Sequence, residues 1–161
     1  VRALVQRVSC ASVEVEGITV GETEGGVLVF VGVGRDDGPE EAASLAGKVA
    51  NLRIFPDGDG KSNLSLLDSG GSALVISQFT LYADCRKGRR PSFADAADPG
   101  PAETLVEEFR RALERLGVAT GCGRFGAHMV VRLVNDGPFT IILDTDVLSG
   151  HRSGRPTPSG D

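Results

Sequence analysis

The 161-residue chain contains no Trp, one Tyr and one Met, and only 5% of it is aromatic. Any core it forms must therefore be filled by aliphatic side chains, which its 40% hydrophobic content can supply. Histidine and cysteine are also scarce. The two His, at 128 and 151, are far apart, and Cys10, Cys85 and Cys122 form no CxxC pair. Clustered zinc ligation has no basis in that spacing, so neither a metal nor a cofactor is expected. An odd cysteine count without a signal segment points to free thiols in a reducing cytoplasm. No apolar run approaches the roughly 18 residues of a membrane span, so no membrane partner is expected. Cations are in the minority, with 17 Lys and Arg against 22 Asp and Glu for a net charge of -5. That balance argues against a general nucleic-acid coat, and no DNA partner is expected, although one local basic patch is compatible with it. Val1 stands where an initiator Met is expected, as a non-ATG start would explain.

Strand patterns are abundant. Arg2 to Val8 alternates, with Ala3, Val5 and Arg7 on one face and Leu4, Gln6 and Val8 on the other. Ser12 to Glu16 and Ile18 to Thr23 read as a hairpin around Gly17. Val27 to Val33 and Ala73 to Ile76 are continuously apolar, as in strands buried on both faces. Leu64 to Leu67, Ala127 to Val134 and Phe139 to Leu143 are further strand candidates. Two helices are predicted. The first opens at Asp37-Gly38-Pro39, with Asp37 near the cap, and shows a stripe of Leu45, Ala46, Val49 and Leu52. The second starts at Asp98 and Pro99, ends at Gly117, and turns Leu105, Val106, Phe109, Ala112, Leu113 and Leu116 to the core. Glu107 with Arg111 and Arg110 with Glu114 pair on its outside. These elements predict one α/β domain over residues 1–145, with a tail at 146–161 expected to be disordered. Its mixed β-sheets form a curled two-layer or barrel-like core with helices packed on one side.

Several motifs fail on context. Gly121-Cys122-Gly123-Arg124-Phe125-Gly126 fits G-x-G-x-x-G, but a strand pattern follows it where a dinucleotide site needs a helix. Asp57-Gly58-Asp59-Gly60-Lys61 begins like a calcium loop and then offers Lys61 where oxygen ligands are required. A Ser-His-Asp triad would have to recruit His128, and no nucleophile elbow supports it.

Three features remain, each open to two readings. Asn135-Asp136-Gly137-Pro138 is either an ordinary turn between strands or a rigid device that points the Gly137 and Pro138 carbonyls at a ligand. Ser77-Gln78-Phe79-Thr80-Leu81 either caps a buried strand or forms a polar lip on an apolar scaffold. Arg86-Lys87-Gly88-Arg89-Arg90 is either a solvated charge run or a contact for nucleic-acid phosphates.

Taken together, Ser77 to Leu81 and Asn135 to Thr140 strongly resemble the two motifs of the D-aminoacyl-tRNA deacylase family of the bacterial and eukaryotic type. The resemblance runs from Val1 to Asp144 and includes Arg2 to Val8, Gly88 to Phe93 and Gly123 to Met129. It implies hydrolysis of the ester of D-aminoacyl-tRNA, which frees the D-amino acid and returns usable tRNA. It also implies a homodimer with the active site at the interface, where a cis Gly137-Pro138 bond reaches into the partner's pocket. The residues carried over are Ser77, Gln78, Phe79 and Thr80 at the catalytic wall, and Gly137, Pro138, Arg7 and Met129 around the substrate. Arg7 would brace the Gly-Pro loop, and Arg86, Lys87, Arg89 and Arg90 would contact tRNA. Main-chain N–H groups near Phe79 and Thr80 are the candidate oxyanion hole. Thr80 would need a base to act as a nucleophile and no His is placed for it. The resemblance also implies that the terminal ribose 2′-OH of the tRNA helps position or activate the water, and glycyl-tRNA, which has no side chain to reject, is expected as an off-target substrate. Phe139 and His128 depart from the family pattern, where a smaller β-branched residue and an acidic residue are expected. Two other readings stand beside this one: a non-catalytic RNA-binding module that docks through residues 86–90, and an esterase of small acyl substrates.

Overall fold

The computed structural model describes residues 1–150, so the expected tail from 151 onward lies outside the described residues. In chain order the elements are β1 (Arg2–Val15), β2 (Ile18–Thr23), β3 (Gly26–Gly32), α1 (Pro39–Asn51), β4 (Phe55–Pro56), β5 (Ser62–Leu64) and α2 (Leu66–Ser69). They continue with β6 (Ser72–Ser77), a 3₁₀ turn at Phe79–Tyr82, α3 (Pro99–Arg115), β7 (Thr120–Cys122), β8 (Val130–Asp144) and α4 (Thr145–Leu148). Among the described residues no helix is long and apolar enough to cross a membrane.

The long strand β1 organises the sheet. Antiparallel β8 runs along one of its edges, while β3 and then β2 occupy the other. Strand β6 adds to β3 in parallel, and β7 adds to β6 in parallel. The sheet curls until β2 meets β7, where glycines let the backbones touch: a Cβ on Gly21 would stand 2.4 Å from the Cys122 carbonyl oxygen. The result is the expected barrel-like mixed sheet with helices on one side. At the β1–β2 hairpin, Glu16 (φ 52°) and Gly17 (φ 78°) both take the left-handed conformation that a tight two-residue turn requires.

Two apolar clusters explain why β3 and β6 lack alternation. Val27, Val29, Val31, Ala73 and Val75 face α1 and α3, where Leu45, Val49, Phe109 and Leu113 complete the larger core. Leu28, Leu74 and Ile76 point the other way, into the barrel, against Val8, Ala11 and Val13 of β1. Strand β1 changes sides along its length. Ala3 and Val5 face the helices, whereas Ala11 and Val13 face the barrel interior. The switch falls where Val8 and Cys10 of β1 oppose the consecutive pair Asn135 and Val134 of β8, because one surplus residue exchanges the two faces.

Several expected details differ. The two strands Ala127–Val134 and Phe139–Leu143 with a turn between them are one strand, β8, which begins at Val130 and keeps its direction through Asn135–Pro138. Pairing with β1 on both sides of this stretch prevents a reversal. Leu64–Leu67 is split between β5 and α2, since Ser65 and Asp68 form a reciprocal capping box that starts a helix at Leu66. Asp37 lies one residue before the α1 cap, Gly38, and serves other partners: the Gly34 N–H, the Tyr82 hydroxyl and the Val1 amino group. Leu116 is the C-cap that follows the last residue of α3, Arg115, and is exposed there instead of facing the core. Residues 146–148, placed in the tail from sequence, belong to α4, where the Asp144 side chain accepts the Asp146 N–H.

Candidate active site

The parallel pair β3 and β6 ends side by side, with Val31 opposite Ser77. Polar main-chain groups at the carboxyl ends of parallel strands commonly receive ligands. Here they open into a cleft of about 650 Å³. Ser77, Gln78 and Phe79 form one wall, Met129 and His128 another, and Ala102 and Val106 of α3 line it from the helix side. Phe79 is exposed and meets Phe93 edge-on, with ring centroids 5.0 Å apart. The Gln78 N–H donates to the Val31 carbonyl at 2.8 Å, which fixes the chain where it leaves β6. Its side-chain amide donates to the Thr80 hydroxyl. Phe79 and Thr80 open the 3₁₀ turn, and N–H groups at the start of a helical turn have no acceptor within it.

The Asn135–Thr140 stretch lies elsewhere on the molecule. Between Gln6 and Val8 of β1 there is one residue, Arg7, while their partners on β8, Thr140 and Asn135, enclose four. Asp136, Gly137, Pro138 and Phe139 therefore bulge out of the ladder. The Gly137–Pro138 peptide bond is cis. Arg7, only 8% exposed, sits behind the bulge on the face shared with Ala3 and Val5. Its guanidinium donates to the carbonyls of Ile54, Asp136 (3.1 Å) and Gly137 (3.1 Å). It also pairs with the Asp136 carboxylate and lies 4.7 Å from the Phe139 ring centroid. A planar fork with five N–H donors can serve this many oxygens at once, and a Lys could not.

Of the residues expected at the site, Ser77, Gln78, Phe79 and Met129 line the cleft together and Thr80 adjoins it. Gly137 and Pro138 are exposed and do not line the cleft of their own chain. The loop with Arg86, Lys87, Arg89 and Arg90 is exposed and leads from the 3₁₀ turn to Phe93 at the cleft. Arg86 is engaged by Asp84 through two side-chain hydrogen bonds, which hold the Asp84 carboxyl at about 2. Among the described residues, Lys87, Arg89 and Arg90 have no ion pair. Sequence reasoning missed Arg35 and Asp98, which line the cleft from loops that cross the strand ends. It also missed any role for the Asn135 side chain, which bonds the carbonyls of Arg7 and Phe139.

Comparison with known proteins places the chain in a family. The chain is 57% identical to a D-aminoacyl-tRNA deacylase of Thermosipho africanus over 144 residues, covering 89% of this chain and 97% of that protein. It is 58% identical to the protein of that name from Roseiflexus castenholzii (94% and 97% covered) and 60% to that from Thermomicrobium roseum (92% and 97%). Among solved structures, the c-Myc DNA Unwinding Element Binding Protein superimposes with a TM-score of 0.85 at 36% identity, covering 89% of this chain and 98% of that one. A probable eukaryotic D-amino acid tRNA deacylase shares the fold at a TM-score of 0.77 and 17% identity, covering 88% and 97%. The model of the D-Tyr-tRNA(Tyr) deacylase family matches residues 4–144, from within β1 to the last residue of β8, and the chain belongs to that family.

Proposed function

We propose that the chain works in the cytoplasm as a homodimer with composite sites, in which the Gly137-Pro138 segment of one copy closes the Ser77–Phe79 cleft of the other. The reaction is that of the family: hydrolysis of the ester joining a D-amino acid to tRNA, with release of the D-amino acid and the tRNA. The observation that carries the composite site is a separation within one chain. Gly137 and Pro138 are exposed and held from behind by Arg7, yet lie outside the cleft that Ser77, Gln78 and Phe79 line. Val134 and Ile142, on either side of the bulge, are 55% and 76% exposed, so the strand that carries the segment also presents apolar surface.

Selection follows from a rigid backbone. Carbonyl oxygens of the Gly-Pro segment hold the α-amino group, and an L side chain would then run into the main chain. Inverting the stereocentre loses a buried polar contact or creates a clash, worth about 1–3 kcal/mol for each polar group left unpaired. Glycine has no side chain to reject, so glycyl-tRNA is the expected off-target substrate. In the chemical step, water adds to the ester carbonyl and the Phe79 and Thr80 N–H groups receive the developing oxyanion. The neighbouring 2′-OH positions the water, and collapse expels the ribose 3′-oxygen, which takes up the proton the water gives up and leaves as the tRNA 3′-hydroxyl. Thr80 is not required as a nucleophile, and the scheme uses no cofactor. Lys87, Arg89 and Arg90 meet the tRNA backbone, with Arg86 partly committed to Asp84.

The test is single-turnover hydrolysis of D-tyrosyl-tRNA and L-tyrosyl-tRNA, with a 2′-deoxy terminal adenosine as control. Fast D hydrolysis, absent L hydrolysis and loss with the deoxy substrate are expected. Binding without D turnover by folded dimer would replace the enzyme with an RNA-binding module. Turnover indifferent to charge reversal at Lys87, Arg89 and Arg90 would remove the proposed tRNA contact.

A further inference from the structure

We infer that Asn135 is a positioning residue for chiral selection, its carboxamide bonding β1 at Arg7 and the far end of the 136–139 bulge at Phe139, and so fixing where Gly137 presents its carbonyl. The inference rests on the selector role given above to Gly137 and Pro138. The bulge sets four residues of β8 against Arg7 alone, which has no Cα partner on β8. Such an excursion has lost its ladder contacts and keeps one conformation only if side chains replace them.

Asn135 is the last residue in register before the excursion. Its Nδ2 donates to the Arg7 carbonyl at 2.8 Å, standing in for the strand contact that β8 no longer makes. The same nitrogen donates to the Phe139 carbonyl at 3.3 Å, where the excursion returns to the strand. One planar NH₂ with two protons can hold both carbonyls. An ionised Asp has no proton to give, and a Ser has one. Oδ1 faces Gly137, where an added Cβ would lie 4.0 Å away. Arg7 thus grips the Asp136 and Gly137 carbonyls from behind, while Asn135 closes the neck of the loop. Neither grip replaces the other, because they act on different carbonyls.

The experiment compares kcat/KM for D-tyrosyl-tRNA and L-tyrosyl-tRNA in the wild-type protein, Asn135→Asp and Asn135→Ala. Both variants are expected to lose about tenfold in the D/L ratio, the scale of one or two lost hydrogen bonds, through a higher KM for D and a rise in L hydrolysis. D and L rates that fall in parallel, or an unchanged ratio, would overturn the inference, since a merely structural residue leaves stereochemical preference alone. A wild-type protein that does not discriminate would bring down the selector reading and this inference together. Discrimination by the wild type with unaltered variants brings down this inference alone. If neither variant folds, hydrogen exchange of the Asn135 side-chain amide in the wild type decides. Protected protons are expected, and exchange at the rate of a free amide overturns the assignment.

Discussion

Replacing Arg7 tests whether the guanidinium holds the Gly-Pro segment by hydrogen bonding or merely fills space. Its three acceptors are unequal. The Ile54 carbonyl is buried and would be orphaned by Arg7→Ala, whereas the Asp136 and Gly137 carbonyls lie in an exposed segment where water can take over. An orphaned buried acceptor costs about 1–3 kcal/mol. The lost stem and its contact with the Phe139 ring add about 1 kcal/mol. The ion pair with Asp136, a side chain 54% exposed, adds less than about 1 kcal/mol. Arg7→Ala should therefore lose about 3 kcal/mol. Arg7→Lys should lose about 2 kcal/mol, since one ammonium cannot serve Ile54 and Gly137 together. With no Trp to report, urea unfolding is followed by far-UV circular dichroism. The selector should suffer more than the fold, with the D/L ratio falling in Arg7→Lys even under conditions where that variant is fully folded. An Arg7→Lys protein within about 0.5 kcal/mol of wild type and with an undiminished D/L ratio would refute the reasoning.

Tyr82 is the only tyrosine, so absorbance near 295 nm reports it alone. Burial, then the nearby Asp37 carboxylate, pushes its phenol above the ordinary value of 10. Its contribution is complete below pH 10 and is lost as pH rises beyond that, so tyrosinate should appear only together with alkaline unfolding. A reversible titration near pH 10 in folded protein would contradict this. Gly21→Ala places a methyl against the Cys122 carbonyl and should destabilise by about 2 kcal/mol or more. Gly47→Ala, in open space on α1, should instead stabilise by roughly 0.5–1 kcal/mol in the same unfolding assay. Thr80→Ala should keep much of the D-tyrosyl-tRNA activity, and a folded, tRNA-binding but inactive variant would mean that Thr80 enters the chemistry.

The sequence disclosed what depends on periodicity. Val27 to Val33 and Ala73 to Ile76 had to be strands covered on both sides, and Arg7 had to lie on the face of Val5. The capping box at Ser65 and Asp68 was also written there, but the apolar run Leu64 to Leu67 outweighed it. Register was not legible. Nothing local announces that β1 changes faces after Val8, or that the turn residues Asp136, Gly137 and Pro138 belong to a bulge instead of a reversal, because both depend on a partner strand more than 100 residues away. The cleft was half legible for the same reason. Ser77 to Phe79 sit at a recognisable strand end, whereas Arg35 and Asp98 reach the cleft only because of how loops cross that end.

The pairing of β1 with β8 also governs when this protein can begin to work. Arg2 is matched to Asp144, and the residue that grips the Gly-Pro segment belongs to the first strand while the segment itself belongs to the last. During synthesis, β1 to β7 can emerge and begin to collapse, but one long edge of β1 stays uncovered until β8 leaves the ribosome. Contacts of such sequence separation close late and slowly. A nascent chain is thus exposed to strand addition by other chains for most of its synthesis. Deacylation should be absent from every truncated product that stops short of β8, however well its remaining sheet is formed.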